Sequence, residues 1–114
     1  MKIHYLEIVT QDIDNVCETY EQTHSVKFSE PDESLGNAKT CKLHDGTVVG
    51  VRRPMHDAEN SVIRPYWLVE DLDEAVAKVK DQGAEIALPR MDMPGKGTIA
   101  IYILDSIEYG FWQL

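Results

Sequence analysis

Three charged residues stand on strand faces that are otherwise apolar or aromatic. In residues 3–9, Ile3, Tyr5, Glu7 and Val9 share one face, and His4, Leu6 and Ile8 share the other. The same alternation puts Val48, Gly50 and Arg52 on the inward face of a second strand. It puts Arg64, Tyr66 and Leu68 on that of a third, and Gly110 and Trp112 on that of a fourth. A charge is almost never buried unpaired. Two chemistries are therefore open to Glu7, Arg52 and Arg64. Glu7 can close a buried ion pair with Arg64 or Arg52. Alternatively, an arginine can take a ligand carboxylate or phosphate on its planar fork while Glu7 binds a hydroxyl or an amine. Tyr5, Tyr66 and Trp112 are either core aromatics or stacking surfaces for a planar ligand. Gly50 and Gly110 are either packing glycines beside a ring or gaps where a ligand lies against the backbone.

Catalysis is thinly provided for. Glu7 could serve as a base and an arginine as an oxyanion stabiliser, but no nucleophile has an adjacent base. Ser25, Ser29, Ser34, Ser61 and Ser106 all fall in loop or turn contexts. Cys17 and Cys41 follow no metal spacing and read as small core residues of a reducing compartment. His4, His24, His44 and His56 share no ligand spacing, and His4 points away from Tyr5. Pro94-Gly95-Lys96-Gly97 resembles a phosphate loop only in composition.

The elements that must position these residues come in two copies. Tyr5 to Gln11 followed by Asp12-Ile13-Asp14 is answered by Arg64 to Glu70 followed by Asp71-Leu72-Asp73. In each copy an apolar strand meets an aspartate and a helix begins. One helix carries the stripe Ile13, Val16, Cys17, Tyr20; the other carries Leu72, Ala75, Val76, Val79. Gly50 follows Asp45 as Gly110 follows Asp105. A unit of roughly 55 residues is thus present twice: unit 1 at about 1–53, a polar connector at 54–62, and unit 2 at about 63–114. The first unit reads as a strand at 3–9, a helix at 13–23, a short strand at 26–28, and strands at 38–44 and 47–53 about a two-residue Asp45-Gly46 turn. The second reads as a strand at 63–69, a helix at 72–82 ended by Gly83, and a strand at 85–88. A long loop at 89–97, the lip of a pocket, then leads to strands at 98–104 and 109–114. One helix covers one sheet face, so the curled sheets leave an open trough for something small.

The totals agree. A chain of 114 residues, 43% apolar and 27% charged, has the composition of a single folded domain rather than a disordered chain. Half of it would bury too little surface alone. A net charge of −9 leaves no basic stripe for nucleic acid, and it would steer a cationic ligand inward. No apolar run approaches the ~20 residues that span a bilayer, and the first residues lack a signal-peptide pattern. A cytoplasmic protein with no membrane partner is expected.

Twin β-α-β-β-β units of this size resemble the vicinal oxygen chelate superfamily. It contains glyoxalase I, extradiol dioxygenases, fosfomycin-resistance enzymes and bleomycin-resistance binding proteins. The resemblance rests on Glu7-Ile8-Val9-Thr10-Gln11-Asp12 with Tyr20, on Val69-Glu70-Asp71-Leu72-Asp73-Glu74-Ala75, and on Gly97-Thr98-Ile99-Ala100, Asp105 and Gly110-Phe111-Trp112-Gln113. The last of these is similar to a glyoxalase-like subgroup. The resemblance implies an α+β fold in which two βαβββ units form curled mixed sheets around an open trough. In the superfamily's enzymes a divalent metal is held by His, Glu or Gln from the first and last strands of each unit. Here those four positions are Tyr5, Gly50, Arg64 and Gly110. Two have no side chain to offer and one is a permanent cation.

The expectation is a metal-free, cofactor-free small-molecule binding protein, a homodimer or a paired-unit monomer, that sequesters or senses an aromatic or mixed-charge ligand. Its ligand-binding residues would be Tyr5, Glu7, Gly50, Arg52, Arg64, Tyr66, Gly110 and Trp112. Two inward arginines favour a neutral or anionic ligand. The alternatives are a metal-dependent lyase, isomerase or dioxygenase, a metal-independent isomerase using Glu7, a bleomycin-resistance-like binder of a cationic drug, and an interaction module whose trough is filled by its own aromatics.

Overall fold

A computed structural model describes all residues, 1–114. The protein is α+β, with seven strands and two helices. In chain order they are β1 (Ile3–Val9), α1 (Ile13–His24), β2 (Lys39–Lys42), β3 (Val48–Arg52), β4 (Val62–Leu68), α2 (Leu72–Asp81), β5 (Glu85–Met93), β6 (Gly97–Leu104) and β7 (Ile107–Gln113). A short 3₁₀ turn spans Glu33–Leu35. The chain divides into two compact units. One is Tyr5–Ile63; the other is Arg64–Leu114 together with Met1–His4.

In the first unit, β1 runs parallel to β3 with Glu7 opposite Gly50, and β2 pairs antiparallel to β3. Asp12 caps α1 by accepting from the Asn15 amide at 3.1 Å, and the helix ends on Ser25 in the left-handed region at φ 53°. The helix stripe then lies on a core of Ile8, Cys17, Cys41, Val49 and Val51. In the second unit, β4 runs parallel to β7 with Tyr66 opposite Gly110, and β6 joins β7 to β5 by antiparallel ladders. Asp71 caps α2 through the Glu74 amide at 3.0 Å. Leu72, which has no exposed surface, packs with Ala100 and Phe111. Both units thus repeat one arrangement, a capped helix over a parallel strand pair with a glycine at the same place.

Four local expectations are corrected. Residues 26–28 form no strand: the Phe28 amide turns back to the Glu21 carboxylate at 3.0 Å, so the first unit has three strands. Residues 89–97 are not an open loop. Strand β5 runs through to Met93 and turns over Pro94-Gly95-Lys96, with the Lys96 amide on the Met93 carbonyl at 2.8 Å. Pro89 is tolerated because β5 is an edge strand with breaks in its register either side of Leu88. The turn after β2 holds three residues, His44 to Gly46, not two: the Leu43 amide bonds the Thr47 carbonyl at 2.8 Å, and Gly46 sits at φ +93°. Strand β7 begins at Ile107 rather than Tyr109, because Asp105 and Ser106 both adopt positive φ (51° and 67°) and reverse the chain in two residues.

Candidate functional site

In the first unit the anticipated residues form one cluster centred on Arg52, which is 4% exposed. Its Nε donates to Glu7 Oε2 at 2.9 Å. Nη1 donates to Glu59 Oε1 at 2.9 Å and to the Arg53 carbonyl at 3.1 Å, and Nη2 donates to Glu59 Oε2 at 2.8 Å. The two-point bond from Glu59, reinforced by Glu7, holds the guanidinium well above its usual pKa against the opposing effect of burial. Of the two forms foreseen for Glu7, the ion pair is the one formed, with Arg52. Gly50, opposite Glu7, is roofed by Tyr5: a Cβ at that position would run into the Tyr5 hydroxyl and ring.

The second unit fills the same places with rings. Tyr66 lies over Gly110, where a Cβ would collide with the tyrosine ring. Trp112 meets Tyr66 edge to face at 5.8 Å between centroids, and its indole N–H donates to the Lys96 carbonyl at 2.9 Å. His4 belongs to this unit and lies 5.1 Å from Trp112. That ring contact sets it against one of the anticipated inward residues, which the alternation along residues 3–9 did not foresee. Burial, with Lys2 adding, holds the His4 imidazole below its ordinary range. Arg64 is 6% exposed and donates Nη2 to Glu108 Oε2 at 2.6 Å.

Tyr5, Glu7, Gly50 and Arg52 are thus brought together in one unit, and Arg64, Tyr66, Gly110 and Trp112 in the other. Both glycines are packing positions. The gap imagined for a ligand against their backbone is occupied by tyrosine. Sequence reasoning missed Glu59 and Glu108. Glu59 sits in the aperiodic connector, and Glu108 falls one residue before the strand expected at 109–114. Both arginines carry carboxylate partners, so their presence no longer weighs against a cationic ligand.

A metal at the superfamily's four positions does not fit this chain. Tyr5 and Tyr66 fill the cradles above Gly50 and Gly110, and Arg64 contributes a fixed positive charge held by Glu108. No three His, Cys, Asp or Glu side chains converge as a metal site elsewhere. Cys17 and Cys41 are unbridged and buried, and burial pushes both thiols up, away from the thiolate needed for nucleophilic attack.

Two open clefts of about 610 and 590 Å³ lie in the second unit. They share Met1, Leu68, Val69 and Glu70, and neither is lined by any of the eight anticipated residues or by the segment 89–97. No helix is long and apolar enough to cross a membrane.

No family model matches the sequence, and no curated protein matches it. Solved structures do. Hypothetical protein BH1468 from Bacillus halodurans C-125 superposes with a TM-score of 0.73 at 14% identity, over 99% of this chain and 94% of that one. Methylmalonyl-CoA epimerase from Mycobacterium tuberculosis gives 0.72 at 13% identity, over 97% and 86%. A variant of the Streptomyces coelicolor methylmalonyl-CoA epimerase, in complex with 2-nitronate-propionyl-CoA, gives 0.65 at 15% identity, over 99% and 94%. The chain has the vicinal oxygen chelate fold. At these identities the likeness is one of fold, and no subgroup follows from it.

Proposed function

We propose that this vicinal oxygen chelate protein binds a small aromatic or mixed-charge organic molecule and does so without a metal at the superfamily's four positions. The observation that carries the reading is the pair of plugged glycines. Within its own unit, Tyr5 fills the space over Gly50 and Tyr66 fills the space over Gly110, the two positions that would otherwise carry a metal-ligating side chain. What remains is a fold able to hold a small molecule, with charged and aromatic groups in place of the ion. The coenzyme A derivatives named for the neighbouring epimerases are poorer candidates here. A net charge of −9 and arginines already matched by carboxylates oppose a polyphosphate. The same compensation favours a second reading, a cationic drug-like ligand.

The test is a thermal-shift screen of the full chain against aromatic acids, aromatic amines and acyl-CoA thioesters, each with EDTA and again with added divalent metal. Stabilisation by an aromatic acid or zwitterion in EDTA supports the first reading, and stabilisation by amines alone supports the second. Stabilisation that appears only with added metal would overturn both.

A further inference from the structure

We propose that the cleft at the end of β4 is a binding site for a zwitterionic amino compound with an apolar side group, its ammonium held by Glu70 and its carboxylate by Lys2. This rests on the small-molecule reading above and gives that ligand a place and a chemical class.

The first argument is space. The two open clefts of about 610 and 590 Å³ share Met1, Leu68, Val69 and Glu70, and each falls in the range of roughly 300–1,000 Å³ common for small-molecule sites. Both lie wholly within the second unit. Their apolar walls are Leu68 and Val69 at the end of the strand, Ala75 and Val79 along one side of α2, and Phe111. Backbone bonds fix the floor. The Leu68 amide donates to the Lys2 carbonyl at 2.8 Å, and the Val69 amide to the Trp112 carbonyl at 2.9 Å.

The second argument is the charge left over. Most polar groups around the opening are already engaged. Asp71 accepts the Glu74 amide at 3.0 Å, and the Glu74 carboxylate pairs with Lys78 at 3.0 Å. The Leu72 amide donates to Gln113 Oε1 at 2.7 Å. The amides of Leu72 and Glu74 at the start of α2 are therefore not open to an anion. Glu70 and Lys2 remain. Both are exposed and line the same cleft, and neither side chain makes an ion pair or a hydrogen bond, with the other or with anything else.

The third argument is the match. A ligand with one charge of each sign meets both residues at once, whereas a simple cation or anion leaves one of them unmatched. Gln113, its oxygen held by the Leu72 amide, keeps its Nε2 hydrogens, which are donors suited to the ligand's carboxylate. The apolar walls take the side group. A neutral zwitterion also escapes the repulsion that a net charge of −9 exerts on an anion.

The experiment uses the full chain in a chelator, with phenylalanine as the probe. Phenethylamine and 3-phenylpropionate serve as controls, each lacking one of its charges. Residue-resolved amide shifts are read on isotope-labelled protein, and affinity is measured by calorimetry for wild type, Glu70→Gln and Lys2→Met. Both positions are exposed and without side-chain partners, so both variants should fold as the wild type does. Phenylalanine should shift the Val69 and Glu70 amides and the Gln113 side-chain amide, and should bind more tightly than either control. Glu70→Gln should weaken phenylalanine and phenethylamine by about threefold or more and spare 3-phenylpropionate. Lys2→Met should weaken phenylalanine and 3-phenylpropionate to a similar degree and spare phenethylamine. Equal affinity for phenylalanine in all three proteins would overturn the proposal. Shifts centred on Tyr66 and Trp112 instead would overturn this placement and leave the small-molecule reading standing. No shift from phenylalanine at any residue would overturn it too, whatever the thermal-shift screen finds.

Discussion

Glu7 and Arg52 in the first unit occupy the places that Tyr66 and Trp112 occupy in the second. Glu7 faces Gly50 as Tyr66 faces Gly110, and Arg52 follows its glycine as Trp112 follows the other. One unit joins its two residues by a charged hydrogen bond of 2.9 Å, the other by a ring contact of 5.8 Å. The backbone is indifferent to the choice, because parallel pairing sets the spacing and a tyrosine covers the glycine in both. The consequences differ. An aromatic pair gains roughly 0.5–1.5 kcal/mol beyond its area and holds one geometry. A buried ion pair returns little net stability, yet removing one partner is expensive. The aromatic half is held by packing, and the charged half depends on keeping its partners together.

The largest expected effect comes from Arg52→Ala. It removes Arg52 from the buried Glu7 and Glu59 carboxylates and should cost about 3–5 kcal/mol in urea denaturation. Replacing Arg52, Glu7 and Glu59 together by apolar residues of similar volume should recover most of that loss. Comparable losses in the single and triple variants would mean the cluster matters for packing and not for charge.

Next come the glycines. Gly50→Ala and Gly110→Ala each drive a methyl into a tyrosine and should destabilise by roughly 1–3 kcal/mol. Pairing each with Tyr5→Phe or Tyr66→Phe distinguishes the two halves. At Gly50 the Tyr5 hydroxyl and the ring carbon that bears it are both in the way, so Tyr5→Phe should relieve that variant only in part, whereas at Gly110 the obstruction is the ring alone and Tyr66→Phe should not help. Trp112→Phe removes the bond to the Lys96 carbonyl while keeping a ring against Tyr66, and should cost about 1 kcal/mol by thermal denaturation.

The smallest effect is a pH dependence confined to the aromatic half. Folding lowers the His4 pKa below its ordinary 6.5, so the unfolded chain binds the proton more readily. The contribution is fully present above 6.5 and is lost as pH falls through the folded value. Thermal scans of wild type and His4→Phe between about pH 7 and 5 should converge as the pH drops. Parallel curves would show that the Trp112 contact does not sense the proton.

Much of this could be read from the residues alone. Two aspartate caps ahead of two apolar stripes mark both helices, and strand alternation groups Glu7 with Arg52 and Tyr66 with Trp112. The repeat aligns Gly50 with Gly110. What sequence could not show depends on contacts that alternation and helical periodicity do not encode. Glu59 lies in a stretch with no periodicity, and only the folded chain brings its carboxylate to Arg52. Strand β5 continues past Pro89 because it has a free edge, which composition does not reveal. Met1 to His4 belong with the second unit because the Leu68 amide bonds the Lys2 carbonyl at 2.8 Å, a pairing no local pattern announces.

The most direct test is metal content. Untagged protein would be incubated with Mn²⁺, Fe²⁺, Ni²⁺ and Zn²⁺, desalted and assayed by plasma mass spectrometry. Substoichiometric retention of every ion is the expected result for a chain whose two glycine positions are closed by Tyr5 and Tyr66. One bound ion per chain, surviving desalting and lost in a variant of Glu7 or Tyr5, would contradict it and return metal-dependent chemistry to first place.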